Sequence, residues 1–89
     1  MIASIERLID RETRLALPAS DITPRADLYA LGLTSFDAVR LLVAIERELE
    51  VELPREMLKR ETMRSIETIV EALVAVRPAK AADDFRQAA

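Results

Sequence analysis

Apolar residues recur at the helical period in three separate stretches of this chain, and no useful length alternates at the two-residue period of a strand. Ile2, Ile5, Leu8, Ile9 and Leu15 fall near one stripe, which Glu12 interrupts. Ala38, Leu41, Leu42, Ile45 and Leu49 share a second face. Ile66, Ile69, Val70 and Leu73 follow the i, i+3, i+4, i+7 pattern of an amphipathic helix. A length of 89 residues allows one small domain, and 51% apolar residues with only 3% aromatics make an aliphatic core. A domain of this size buries only about 60% of its unfolded surface. That suits a compact bundle better than a deep catalytic cleft. The expected class is all-α, a four-helix bundle of three main helices and one short helix, with a long first loop.

Punctuation sets the boundaries. Pro18 is expected to end a first helix over about residues 2–17, because the residue before a proline avoids the α region. Residues 19–26, A-S-D-I-T-P-R-A, are rich in turn formers and form the loop. Asp27 to Leu31 can make one helical turn, with Asp27 as N-cap and Gly32, the single glycine, as its left-handed exit. A second main helix is expected from about Ser35 to about Glu50, broken by Leu53-Pro54. Pro54 can open a short helix carrying Met57 and Leu58, and Thr62 is placed as the N-cap of the last helix. The domain is expected over residues 1–77, with residues 78–89 as a flexible tail.

Composition removes several chemistries. With no cysteine and no histidine, disulfides, Cys- or His-ligated zinc, and Ser-His or Cys-His nucleophile pairs are excluded, so a cofactor must supply any thiol. The net charge of −3, with no dominant basic patch, argues against nucleic-acid binding. No apolar run has the length of a signal peptide or a membrane span, so a cytoplasmic location with no membrane partner is expected. Glu46, Glu48, Glu50 and Glu52 form a solvated face and not a catalytic pair. One glycine cannot build a phosphate-binding loop, and the acidic residues lack the spacing of a calcium loop. No catalytic or metal-binding residue is expected; the chain is not read as an enzyme.

The informative segment is D-L-Y-A-L-G-L-T-S-F-D, residues 27–37. Leu28, Leu31 and Leu33 can anchor a glycine turn to the core and leave Thr34 and Ser35 at the surface. A helix N-terminus presents unpaired N–H groups and a positive dipole end, so a phosphodiester on Ser35 would sit where anions are favoured. Taken alone, Ser35 is explained better as a plain N-cap. The following helix shifts the balance. Opposite its core face lie Phe36, Val39 and Val43, together with Arg40, Arg47 and Glu50. Aliphatics in a row, rimmed by charge, make a docking surface. Alternatively, one or two of them are half-buried against a neighbouring loop. Phe36, beside the candidate serine, is more useful to a partner than to a core.

The run D-L-Y-A-L-G-L-T-S-F-D-A-V-R-L-L resembles the signature of the acyl and peptidyl carrier proteins, in which an Asp-Leu, a Gly and a Ser precede a long helix. The likeness extends from about Ile5 to Leu73 and includes V-E-L-P after the second helix and E-T-M-R-S-I before the last. It implies that Ser35 bears a 4′-phosphopantetheine arm, installed from coenzyme A by a phosphopantetheinyl transferase. The arm's thiol would hold an acyl or aminoacyl thioester for presentation to partner enzymes. These partners are an acyl- or aminoacyl-activating ligase and a downstream acceptor enzyme, served by a monomer. Thr34 stands where the family usually has Asp, and Arg40 and Arg47 occupy positions where carboxylates are common. Arginines on the docking face favour an acidic partner over the basic patches of fatty-acid enzymes. The segment G-L-T-S-F is similar to small stand-alone bacterial carriers, some of which receive an amino acid from an amino acid:carrier-protein ligase. Thr34, Phe36, Val39, Arg40, Val43 and Arg47 are the expected partner-binding residues. An unmodified helical adaptor, binding through Phe36, Val39 and Val43, is the competing reading.

Overall fold

The computed structural model describes residues 1–76, so the expected tail at 78–89 lies outside the described residues. Helix α1 spans Ile2–Glu12, α2 Ser35–Leu49 and α3 Ile66–Ala75. Short 3₁₀ turns lie at Ala19–Asp21, Arg55–Met57 and Arg60–Met63. The class is all-α, and no strand occurs among the described residues. No helix is long and apolar enough to cross a membrane. The short fourth element appears as the two successive 3₁₀ turns between α2 and α3. Pro54 precedes the first of them, and Leu58, expected inside a helix, lies just beyond its end.

Helix α1 stops well before Pro18. Thr13 turns extended, its hydroxyl donating to the Ile9 carbonyl at 2.6 Å while its N–H reaches the same oxygen at 3.0 Å. This is side-chain competition with the helix ladder. Asp10 then accepts from the Ala19 N–H at 2.8 Å and draws the chain back along the helix. Leu15 reaches the core from this return segment and not from the helix. Ile2, expected on the buried stripe, is exposed. Glu12, the exception within that stripe, sits on the last turn with its carboxylate 2.9 Å from Arg11 and 3.5 Å from Arg40.

The segment after the loop is a capped pair of turns. Asp27 Oδ1 accepts from the N–H groups of Tyr29 (2.9 Å) and Ala30 (3.4 Å). Gly32 follows at φ +113°, a conformation that L side chains rarely adopt. A Cβ at Gly32 would meet no atom within 4 Å, so the backbone and not crowding requires glycine. Leu28 is fully buried, Leu33 is buried and Leu31 is half-buried, as the anchoring role demands. Two main-chain bonds tie this region to the start of α3: Leu28 N–H to Arg64 O (2.7 Å) and Glu67 N–H to Pro24 O (2.9 Å).

Helix α2 buries Ala38, Leu41, Ala44 and Ile45, while Leu42 and Leu49 are only half-buried. Its end comes at Glu50 in the left-handed conformation (φ 53°, ψ 50°), before Leu53-Pro54 is reached. The Glu46 carboxylate accepts from the Leu53 N–H at 3.0 Å and fixes the exit, so one member of the glutamate run is structural. Helix α3 starts at Ser65 and not at Thr62. Ser65 Oγ accepts from the Thr68 N–H at 3.1 Å, and Thr68 Oγ1 accepts from the Ser65 N–H at 3.0 Å, a reciprocal capping box. Thr62 is buried in the turn before it, where its carbonyl accepts from the Thr68 hydroxyl at 3.0 Å. The core joins Ile5, Leu8 and Ile9 of α1 with Leu28, Leu41, Ile45, Ile66, Ile69 and Leu73. Both α2 and α3 pack on α1, and the Arg60–Met63 turn touches α2 and α3.

Candidate functional site

At the start of α2 the cap belongs to Thr34. Its backbone is extended (φ −90°, ψ 162°) and its Oγ1 accepts from the Asp37 N–H at 3.0 Å. Ser35 is therefore the first residue inside the helix, exposed, with its hydroxyl in no hydrogen bond among the described residues. The plain-cap explanation of this serine is thereby removed. Its oxygen stands at the positive end of a helix of four turns, the preferred place for an anion.

Two grooves flank α2. One, of about 530 Å³, lies towards the end of α1 and is lined by Arg11, Glu12, Val39, Arg40, Val43, Ala44, Arg47 and Glu48. The other, of about 310 Å³, lies towards the 3₁₀ turns and is lined by Tyr29, Ser35, Ala38, Val39, Leu42, Leu58, Lys59, Arg60 and Met63. Val39 walls both grooves.

The expected partner-binding residues form the rim of the first groove and the helix start. Phe36, Val39 and Val43 are 70%, 59% and 45% exposed, so none is claimed by a neighbouring loop. Arg40 is partly committed: its guanidinium lies 3.5 Å from Glu12 and 5.9 Å from the centre of the Phe36 ring. Arg47 has no carboxylate partner among the described residues. The Arg11 hydrogen bond holds the Glu12 carboxyl below the usual glutamate range, against the opposing effect of its burial, and the Arg40 charge adds to it.

Tyr29, Lys59 and Arg60 escaped the sequence pattern. Lys59 and Arg60 fall between two 3₁₀ turns, where no period marks a face; the adjacent basic pair after Leu58 was the available signal. The Arg60 guanidinium stacks 3.7 Å from the centre of the Tyr29 ring, and the Tyr29 hydroxyl donates to the Arg60 carbonyl at 3.0 Å. Burial raises the Tyr29 pKa, although Arg60 opposes it, so the phenol stays protonated and able to donate at neutral pH. No metal-binding cluster of acidic residues occurs among the described residues.

The donor set fits a covalent phosphodiester. It offers an accessible hydroxyl without a structural task, a helix N-terminus behind it, and a groove with an apolar floor and basic rim beside it. Comparison with known proteins agrees. Residues 4–73 match the family described as "Phosphopantetheine attachment site". The chain is 34% identical to the aminoacyl carrier protein of Agrobacterium fabrum over 82 residues, 92% of this chain and 99% of that one. It is 37% identical to aminoacyl carrier protein 1 of Bradyrhizobium diazoefficiens over 65 residues, 72% of each. Among solved structures, it resembles a chain in the crystal structure of an engineered Bradyrhizobium japonicum glycine:[carrier protein] ligase complexed with carrier protein from Agrobacterium tumefaciens and AMP. That match has a TM-score of 0.80 and 35% identity, and covers 83% of this chain and 99% of the other. The chain belongs to the phosphopantetheine attachment site family, the carrier proteins whose cofactor is a covalently held 4′-phosphopantetheine.

Proposed function

We propose that Ser35 bears the arm and that this chain is an aminoacyl carrier, loaded by an amino acid:carrier-protein ligase and emptied by an acceptor enzyme. The observation that carries the reading is the division of labour at the start of α2. Thr34 makes the cap bond, and Ser35 keeps an exposed hydroxyl. A phosphopantetheinyl transferase installs the arm from coenzyme A on the Ser35 oxygen. Once attached, the arm supplies the thiol that this cysteine-free chain lacks. With neither histidine nor cysteine, the domain positions its cargo and leaves catalysis to its partners.

The aminoacyl branch is supported by the two aminoacyl carrier relatives and by the likeness to a carrier complexed with a glycine-specific ligase. Phe36, Val39 and Val43 offer an apolar strip to that ligase, bordered by Thr34, while Arg40 and Arg47 steer towards an acidic surface. Mass spectrometry after co-expression with a transferase tests the attachment. Wild type gains the pantetheine mass and Ser35→Ala does not; a gain in both, or in neither, refutes it. ATP-dependent loading of the holo protein with glycine, alanine or another amino acid supports the aminoacyl branch, and loading only with malonyl or fatty-acyl groups rejects it.

A further inference from the structure

Of the 13 lysine and arginine residues in the chain, only Lys59 and Lys80 are lysine. A guanidinium stays protonated and is no nucleophile, whereas an ε-amine is one whenever it sheds its proton. A chain that presents thioesters is thus almost free of side-chain amines that could take the cargo. One of its two lysines nevertheless lines the groove that also holds Ser35. We infer that Lys59 is a self-acylation site, whose ε-amine removes the acyl or aminoacyl group from the arm on Ser35. The inference rests on Ser35 being the attachment point.

The step needs nothing beyond the loaded protein. The uncharged Lys59 Nζ attacks the thioester carbonyl, a C–N bond forms and the C–S bond breaks. The proton lost by the amine passes to the departing sulfur. The products are an amide on Lys59 and a free thiol on the arm. The amide does not return its acyl group to the thiol, so each transfer takes cargo out of delivery and leaves the arm open to reloading.

Placement favours Lys59. Its backbone is extended (φ −139°, ψ 164°) at the head of the Arg60–Met63 turn, and its carbonyl accepts from the Thr62 N–H at 3.1 Å. The next residue, Arg60, is held by stacking on Tyr29 and by the Tyr29 hydroxyl. Only the Lys59 side chain is uncommitted: it is exposed and in no ion pair among the described residues. The other heteroatoms along the groove offer no rival. Arg60 is a guanidinium, Met63 is a buried thioether and the Tyr29 hydroxyl donates to the Arg60 carbonyl. A tethered thioester meets this rim at an effective concentration on the order of millimolar, so passing encounters suffice and no seat for the arm is needed.

The test uses the full-length chain, with acetyl-coenzyme A given to the transferase so that the arm arrives loaded, and with excess coenzyme then removed. Intact mass comes first. A protein that gains no acetyl-pantetheine increment refutes the Ser35 reading itself, which is thereby told apart from failure of the transfer. The loaded protein is then incubated and treated with hydroxylamine, which cleaves thioesters and spares amides. The expected result is an acetyl increment that resists hydroxylamine, maps to Lys59 in peptide spectra and accumulates at a fractional rate unchanged by dilution. Lys59→Arg, which keeps the charge, loses that increment and holds its thioester longer. Ser35→Ala exposed to the same acetyl-coenzyme A gains no acetyl group at Lys59. The inference is overturned by a resistant increment at Met1 or Lys80 instead, or by one equal in wild type and either variant. Accumulation that slows on dilution, or a thioester that decays without forming an amide, overturns it too.

Discussion

The Thr34 hydroxyl oxygen and the Asp37 N–H lie 3.0 Å apart, and this one bond decides which of two adjacent hydroxyls is structural. Thr34→Ala is expected to cost roughly 0.5–2 kcal/mol, the usual price of a lost N-cap. That lowers the melting temperature by about 4–8 °C per kcal/mol in a domain of this size. Ser35→Ala, at an exposed position without a bond to lose, is expected to change stability by no more than about 0.5 kcal/mol. Thermal melts of the two variants, with transferase labelling as a second readout, check the assignment. Thr34→Ala is destabilised and still modified; Ser35→Ala is stable and unmodified.

Gly32 makes a different kind of prediction. Space is open around it, so Gly32→Ala introduces no clash; the φ of +113° is the obstacle. The expected loss is about 1–3 kcal/mol of strain, measured by urea unfolding. The turn between Leu28 and Leu33 aims α2, so amide shifts spreading to Thr34 and Ser35 are expected as well.

Steering by the two arginines should be unequal. Arg47 is in no ion pair among the described residues, whereas Glu12 already offsets part of Arg40. Arg47→Glu is expected to slow ligase loading at low salt more than Arg40→Glu, and added salt should narrow both differences. Initial loading rates of the holo variants at two ionic strengths provide the measurement.

Glu12 links α1 to this face through pH. Its folded pKa is depressed below the ordinary 4.5, chiefly by Arg11. The stabilisation is thus present above the ordinary value and is lost as pH falls through the folded one. The melting temperature of wild type minus that of Glu12→Gln is expected to shrink steadily below pH 4.5 and to be flat above it. Titration of other carboxylates cancels in the difference.

Periodicity located α2 and α3 because a packed helix needs one apolar face, and Ala38, Leu41, Ile45, Ile66, Ile69 and Leu73 supply it. Helix ends carry no such repeating signal. Pro18 is a visible breaker, but the helix yields earlier to Thr13, whose hydroxyl competes for a carbonyl that no pattern marks. Thr62 and Ser65 are both capping residues; the choice fell to the partner three positions on, Thr68, which completes the box only with Ser65. The site divides similarly. The apolar strip follows from helix geometry, whereas that geometry alone makes Ser35 a cap, and only the structure gives the cap to Thr34. The basic rim could not be read this way, because Lys59 and Arg60 line the groove beside Ser35 from irregular backbone, where Tyr29 holds Arg60.

Val39 has its own consequence, because it is a party wall. Anything that settles in the groove on the α1 side and anything that settles in the other must each accommodate the same isopropyl group. Thermodynamic linkage makes any such conflict symmetrical: whatever factor of affinity an occupant of one groove removes from an occupant of the other, it loses in turn. Val39→Ala should therefore weaken the mutual exclusion of the two grooves while sparing both the Ser35 hydroxyl and the arginines.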